Sequence, residues 1–317
     1  MVLISETFDT IAVIAIIKLF ICRVLPWIYR NTFGPMLFGA KIQLSDYDRW
    51  AVVTGVDNGI GAGYAKRIAE FGLDVVLIGE NKNHLCALAR DIGGNFGVQT
   101  KMIVVNFNGD PKIYDQISEN LKDLKIGVLV NALDANNGSA GYFHEISDNR
   151  NSFQKVLHCN IDAMINLCYI VLPNMIKNGQ GVIINVSSIF ASAPSPFFTL
   201  YGASKAFVHK FSEDLSIECK DHGIYVQSIL PAYLARDKNC AGLFTPTVDT
   251  YIESAMKTIG HGTYTFGHWS HAVLRLLLHE INFYSIAAYS AIMNYMKKPP
   301  SAPGLNYFLA ESCQPAE

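Results

Sequence analysis

Six short and nearly continuous apolar runs recur between Trp50 and about Thr265, and this recurrence limits the fold more than any other feature of the sequence. Each run is rich in Val and Ile, and polar and apolar residues do not alternate within it. Strands of this kind must be covered on both faces, which is typical of a parallel sheet. The runs lie at residues 50–54, 74–78, 101–105, 127–131, 181–186 and 225–230.

Segments of helical period separate these runs, at residues 62–71, 83–92, 111–124, 153–177 and 201–221. Alternating strands and helices with right-handed crossovers build a Rossmann-type, doubly wound parallel sheet of the α/β class. Ligands of such sheets bind at the carboxyl ends of the strands. We therefore predict one dinucleotide-binding domain over residues 46–270.

The composition narrows the class of protein further. Half of the 317 residues are hydrophobic, which excludes disorder over most of the chain. The net charge of −2, without basic blocks, argues against nucleic acid as a partner. The seven cysteines are scattered without a CxxC pair, so neither a disulfide framework nor a metal site is predicted. Only 16% of the residues are charged, which indicates that a partner or a bilayer covers some of the surface.

Both ends of the chain are apolar. Residues 11–29 hold eleven Ile, Val, Leu or Phe residues together with Lys18 and Arg23. The apolar side chains contribute about −0.3 to −0.6 kcal/mol each, against about +2.5 to +3.5 for a central Lys, so insertion is nearly balanced. A marginal span, an interfacial helix and a buried amphipathic helix remain open. We predict that residues 1–45 form a hydrophobic anchor and linker that attaches the protein to a membrane.

A second apolar stretch, residues 272–296, is interrupted by charged side chains. It either dips into the membrane or covers a hydrophobic pocket. We expect residues 271–317 to comprise this stretch and a loose tail.

A glycine-rich turn, TGVDNGIG, follows the first run directly and opens the first helix. Glycines allow positive φ and a close approach of the backbone to a pyrophosphate, whose charge the helix N-terminus meets. An ordinary tight turn has similar glycines, but the position between strand and helix favours a dinucleotide site. The predicted cofactor-binding residues of the turn are Gly55, Asp57, Asn58, Gly59, Ile60 and Gly61.

This turn resembles the TGxxxGxG motif of the short-chain dehydrogenase/reductases. The active site of that family combines Tyr-x-x-x-Lys with a Ser thirteen residues earlier and an Asn on the preceding helix. Tyr201, Lys205, Ser188 and Asn160 match these positions. The phrases RWAVVTG, GIYVQSILP and GHWSHAV resemble one subgroup: microsomal 17-β-hydroxysteroid dehydrogenases, very-long-chain 3-oxoacyl-CoA reductases and the hydroxysteroid dehydrogenase-like protein. The resemblance covers residues 47–273.

The resemblance implies a membrane-attached enzyme that interconverts a ketone and an alcohol with NAD or NADP, on a steroid or a long-chain 3-oxoacyl-CoA. It places the protein at the endoplasmic reticulum membrane. Tyr201 would be the acid, and Lys205, one helical turn away, would lower the pKa of the phenol and hold the nicotinamide ribose. Ser188 would bind the substrate oxygen, and Asn160 would hold a water that relays the proton.

Several cofactor positions depart from the family pattern. Glu80 stands where NADP users of the subgroup carry Arg. A carboxylate accepts a hydrogen bond from a ribose 2′-hydroxyl but repels a 2′-phosphate, by about 4 kcal/mol at ~4 Å in an effective dielectric of ~20. NAD is therefore favoured over NADP, unless Glu80 points into water. Asn106 replaces the adenine-contacting Asp of the family.

Two loops depart as well. The family's Asn-Asn-Ala-Gly keeps Asn131, a predicted cofactor contact, but ends here in Asp134. After the sixth run, Pro231 is retained, and Arg236 stands where the family has a phosphate-contacting Thr. Arg236 would either bind the pyrophosphate or offset Asp134. These changes motivate the alternative of a catalytically weak or inactive relative that serves as a binding or scaffold protein.

Residues 233–267 fall where the family places its substrate loop. Their apolar content suits a steroid or fatty acyl chain, and a covering helix is the alternative. His268 and His271 flank Trp269, and we interpret both histidines as packing or surface residues. A homodimer is compatible with the sequence, which does not itself determine the oligomeric state.

Overall fold

Seven parallel strands form a single sheet in the order β3-β2-β1-β4-β5-β6-β7. The computed structural model describes residues 14, 17–18, 21–22, 25–107, 109–135, 141–145, 149–235, 237–284 and 291. The strands are β1 (Trp50–Thr54), β2 (Asp74–Gly79), β3 (Thr100–Val104), β4 (Ile126–Asn131), β5 (Gly181–Val186), β6 (Ile224–Ile229) and β7 (Tyr264–Thr265). The predicted doubly wound sheet is confirmed.

Helices cover both faces of the sheet. They are α1 (Leu25–Ile28), α2 (Gly34–Phe38), α3 (Gly59–Glu70), α4 (Lys82–Phe96), α5 (Lys112–Leu121), α6 (Asn149–Leu157), α7 (Ala163–Asn178), α8 (Thr199–Glu218), α9 (Val248–Lys257) and α10 (Trp269–Tyr284). Neighbouring residues of one strand pack on opposite faces of the sheet. Val53 packs in the core that includes Ile68 and Ile252, whereas Val52 packs in the core that includes Leu167 and Val208.

Two elements between residues 233 and 267 differ from the expected substrate loop. Helix α9 packs against α3 and buries Tyr251 and Ile252, so the covering-helix alternative describes the middle of this segment. Strand β7 extends the sheet by pairing Ser228 with Tyr264 and Ile229 with Thr265. A strand of two residues is too short to show a period in the sequence.

The N-terminal segment is docked on the domain from residue 25 onward. Lys41 donates its backbone N–H to the carbonyl of Ile259 at 2.9 Å, and Nε2 of His261 lies 2.7 Å from the carbonyl of Gly39. Part of the predicted anchor, residues 1–13, 15–16, 19–20 and 23–24, lies outside the described residues, as do residues 285–290 and 292–317 of the C-terminal segment.

Within the described part of the chain, one helical stretch, residues 151–178, is long and apolar enough to cross a membrane. In the most apolar 18-residue window of this stretch, 44% of the window is buried inside the protein. Its second half, α7, packs on β4 and β5. One side of this second half is therefore buried against the sheet.

Candidate active site

The glycine turn brings the end of β1 against the end of β4. Gly55 has a φ of 67°, and a Cβ there would lie 2.3 Å from the carbonyl oxygen of Ala132. A Cβ on Gly61 would lie 2.3 Å from the carbonyl oxygen of Gly55. Only glycine fits either position, because backbone occupies the space that a side chain would need.

Asn58 caps helix α3 and ties the turn to the neighbouring strand. Its Oδ1 accepts the N–H of Gly61 at 2.8 Å, and its Nδ2 donates to the carbonyl of Ala132 at 2.8 Å. The N-terminus of α3 consequently points at a cavity that Gly59 and Ile60 help to line. A helix N-terminus facing a cavity suits an anionic group such as a pyrophosphate.

Two carboxylates meet at the end of β2. Asp57 accepts the backbone N–H of Glu80 at 2.7 Å and that of Asn81 at 3.2 Å. The carboxylate of Glu80 lies 3.4 Å from the N–H of Phe107, so this side chain is directed along the sheet edge rather than only into water. The sequence motif placed Asp57 in the turn but did not reveal that it stands beside Glu80.

Tyr201, in the first turn of α8, lines the same cavity. The side chain is 1% exposed. Ser188, which follows β5, lowers the pKa of the phenol, an effect smaller than the raising effects of burial and of Asp134. Lys205 lies one turn along α8, with its Nζ 5.6 Å from the centre of the Tyr201 ring. The structure thus gathers Ser188, Tyr201 and Lys205 beside the glycine turn.

The pairing of Lys205 differs from the expectation. Its Nζ forms an ion pair with Oδ1 of Asp134 at 2.8 Å and donates to the carbonyls of Leu133 and Val186 at 3.3 Å each. The pKa of Tyr201 is raised well above its usual value, first because the phenol is buried and next because of the Asp134 carboxylate. The pKa-lowering role expected of Lys205 stays a prediction, because in this structure its ammonium is paired with the Asp134 carboxylate.

Asn160 holds the loop that carries Asp134. Its Oδ1 accepts the N–H of Ala135 at 2.8 Å, and its Nδ2 donates to the carbonyl of Ala135 at 2.8 Å and to Oγ of Ser204 at 3.0 Å. Asn160 sits in a turn of π-helix, His158–Asp162, between α6 and α7. Such turns are frequent at functional sites. The sequence alone did not reveal this contact, since residues 135 and 160 are distant along the chain.

The other predicted cofactor residues fall in different places. Pro231 lines the cavity, whereas Asn131 is not among the residues that line it. Nδ2 of Asn131 donates instead to Oδ1 of the buried Asn185 at 2.8 Å, which joins β4 to β5. Asn106 is exposed after the end of β3. Arg236 lies outside the described residues.

His271, which we expected to have a packing or surface role, is buried beneath the loop that follows β6. Its Nδ1 accepts the N–H of Ala232 at 3.1 Å, and its Nε2 lies 3.2 Å from the carbonyl of Tyr233. Burial lowers the pKa of His271 to about 3. A neutral imidazole therefore fixes the loop beside Pro231.

The residues present fit a dinucleotide. The helix N-terminus at Gly59 suits its pyrophosphate, the carboxylate of Glu80 suits a ribose hydroxyl, and Tyr201 lines the same cavity. Asp134 is the exception, because it adds a negative charge to the wall of the cavity.

A doubly wound parallel sheet with this turn and a buried Ser-Tyr-Lys set at its carboxyl edge defines an NAD(P)-binding oxidoreductase. The profile of the family described as short chain dehydrogenase matches residues 49–240. The chain belongs to this family. It is an oxidoreductase that acts on CH–OH groups with NAD(P).

Similar proteins carry two kinds of name. The chain is 38% identical to the very-long-chain 3-oxoacyl-CoA reductase of Anas platyrhynchos, over 78% of this chain and 79% of that one. It is 34% identical to the inactive hydroxysteroid dehydrogenase-like protein 1 of Homo sapiens, over 77% of this chain and 76% of that one. Among solved structures, a short-chain dehydrogenase from Sphingobium yanoikuyae in complex with NADPH is similar, with 27% identity and a TM-score of 0.60. That match covers 80% of this chain and 96% of the other.

Proposed function

We propose that the protein interconverts a ketone and an alcohol on a lipophilic substrate, a long-chain 3-oxoacyl-CoA or a steroid. The observation that carries the proposal is that residues of the glycine turn and Tyr201 line the same cavity. A carbonyl held there would meet the phenol of Tyr201 and the hydroxyl of Ser188. Relatives named as 3-oxoacyl-CoA reductases support the acyl substrate.

The residues perform the proton chemistry. When bound, NAD(P)H supplies the hydride that reaches the carbonyl carbon. Tyr201 donates its phenolic proton to the carbonyl oxygen, and Ser188 holds that oxygen by a hydrogen bond. Lys205 then stabilises the phenolate until a proton arrives from water, and Asn160 contributes by fixing the Ala135 peptide beneath the site. In the reverse direction each proton moves the other way.

An apolar cluster beside Tyr201 supports a lipophilic substrate. The ring of Phe190 stacks on Phe198 at 5.1 Å and meets the rings of Tyr201 and Tyr233 edge-on at 6.2 Å each. Leu278 of α10 is buried in the same cluster. This cluster surrounds Tyr201 with apolar side chains, which is compatible with a fatty acyl or steroid skeleton next to the reacting carbonyl.

We also propose that the protein is attached to the endoplasmic reticulum membrane. The support is the apolar N-terminal sequence together with the exposed side chains of Phe33, Met36, Leu37 and Phe38. A lipophilic substrate dissolved in the bilayer would then be close to the site. The names of the reductase relatives agree with such a substrate.

Replacing Tyr201 with Phe tests the catalytic role. We expect reduction of a long-chain 3-oxoacyl-CoA to fall about 10²- to 10⁴-fold, because only the proton donor is lost. The Kd for NADH, measured by fluorescence titration of the purified full chain, stays within about twofold. Tyr169→Phe, at an exposed position of α7, is the control and should change neither value. Undiminished turnover in Tyr201→Phe would refute the acid role.

A second candidate is a weak or inactive member of the family that binds a ligand or a partner protein. The specific observation in its favour is the Lys205–Asp134 ion pair inside the cofactor cavity. An inactive relative also exists. If the wild-type chain binds neither NADH nor NADPH in the same titration, this candidate replaces the enzyme.

A further inference from the structure

Asp134 is built into the cavity in a fixed position. It is the charged residue among the described residues that line the cavity, and its side chain is 30% exposed there. Its partner Lys205 is only 1% exposed. The next residue, Ala135, is held at both its N–H and its carbonyl by Asn160. The loop that carries the carboxylate is therefore held in place next to Lys205.

The pair changes the charge that the cavity presents. A buried ammonium beside an open cavity would attract an anion, but a carboxylate at 2.8 Å neutralises that ammonium. The backbone carbonyls of Leu133 and Val186 also accept from the same Nζ. A dinucleotide with two phosphate charges must therefore enter a cavity in which Asp134 is the charged residue among the described lining residues.

The backbone conformation at position 134 does not require an aspartate, because its φ is not positive. Among the described residues other than glycine, only Phe197 has a positive φ. Glycine, asparagine and aspartate all fit the backbone at position 134. The charge can consequently be removed without backbone strain.

We propose that Asp134 is a positioning residue that holds Lys205 in an internal ion pair and so weakens the binding of the dinucleotide. Asp134 and the cofactor compete for the ammonium group of Lys205. Lys205 can contact the cofactor only when its ion pair with Asp134 breaks. This inference rests on the proposed function, since it concerns the cofactor of the same site. It accounts for a complete Ser-Tyr-Lys set in a cavity whose Asp134 carboxylate repels the phosphates of the cofactor.

The test is a fluorescence titration of the purified full chain with NADH for wild type, Asp134→Asn and Asp134→Gly. We expect both variants to lower the Kd at least about tenfold, equivalent to about 1.4 kcal/mol. Asp214→Asn removes a carboxylate from an exposed ion pair with Lys210 on the same helix, and it should leave the Kd unchanged. Thermal unfolding of each variant checks that it is folded.

The outcomes separate the inference from the proposed function. If wild type binds NADH and neither Asp134 variant binds it more tightly, the inference is refuted and the proposed function stands. If no form binds NADH or NADPH, the proposed function fails and the inference falls with it. If only Asp134→Gly improves binding, loop flexibility rather than charge is responsible, and the inference is also refuted.

The pH profile of alcohol oxidation provides a second readout. The groups that face Tyr201 are Lys205 on the same helix, Asp134 from the β4 loop and Tyr233 from the β6 loop. Removing the Asp134 carboxylate lowers the pKa of Tyr201, because the phenolate then meets Lys205 without a second anion. The rate of alcohol oxidation rises with pH as Tyr201 ionises. We expect this rise to occur at least about one pH unit lower in Asp134→Asn, which corresponds to a tenfold higher rate at a fixed pH on the rising part of the profile. A rise at the wild-type pH contradicts the inference.

Discussion

At the scale of single residues, the end of β2 carries the side chains that we expect to select between NAD and NADP. Asp57 and Glu80 place two carboxylates there, and the backbone N–H groups of Glu80 and Asn81 hold Asp57 in place. A ribose hydroxyl can donate to such carboxylates, whereas a 2′-phosphate would be repelled. We therefore propose that NAD is preferred over NADP, although a similar solved structure holds NADPH.

Replacing Glu80 with Arg tests this preference. We expect the ratio of the Kd for NADPH to that for NADH to fall at least about tenfold, because one repulsive charge becomes attractive. Glu80→Gln should give an intermediate ratio, since Asp57 remains. Glu119→Gln on α5 is an exposed control. A ratio that stays at the wild-type value in Glu80→Arg would show that this side chain does not face the ribose.

At the scale of elements, helix α10 stabilises the loop after β6 through a neutral histidine. His271 bonds to the backbone of Ala232 and Tyr233 and is buried, which lowers its pKa from 6.5 to about 3. In the unfolded chain the imidazole regains a pKa near 6.5 and takes up a proton below it. The stabilisation is therefore complete above about pH 6.5 and is lost as the pH falls toward 3.

The predicted consequence is an acid-sensitive fold. We expect this one group to lower the free energy of unfolding by about 1.4 kcal/mol per pH unit below pH 6.5, or about 2 kcal/mol at pH 5. Urea unfolding of the full chain at pH 7 and pH 5 measures the difference. His271→Asn should be less stable at pH 7 and lose this part of the pH dependence. His222→Gln, which removes an exposed histidine, should retain it.

At the scale of the whole molecule, the domain presents an apolar surface at its N-terminal end. Phe33, Met36, Leu37 and Phe38 are each more than half exposed, and the segment is held to the domain at Gly39 and Lys41. This fixed apolar surface is suited to contact with a lipid bilayer. The domain would then meet the membrane in one orientation.

Replacing Met36 and Phe38 with Glu tests this contact. Because burial of each such side chain is worth about 1.5–3 kcal/mol, we expect the fraction of full chain that floats with phosphatidylcholine vesicles to fall at least about tenfold. Tyr169→Glu and Ile217→Glu, two exposed apolar positions on α7 and α8, are the controls. Equal flotation of Met36→Glu/Phe38→Glu and wild type would show that this surface does not touch lipid.

Prediction from sequence succeeded where short-range patterns carry the information. The six predicted apolar runs became strands with ends shifted by at most one residue, since burial on both faces leaves a visible run. The predicted helix over residues 153–177 contains a π turn that no periodicity shows. Asn131 was expected at the cofactor but bonds to Asn185, because the strand pairing of β4 and β5 sets its direction.

The sequence by itself determined the sheet, the glycine turn and the family, because these depend on periodicity, on backbone freedom and on the spacing of a few residues. Only the tertiary structure decided the charge state of the site. Asp134 and Lys205 are 71 residues apart in the sequence, and their ion pair exists because β4 ends and α8 begins at the same edge of the sheet. Electrostatic energy depends on distance in space and on burial, and neither quantity can be read along a chain.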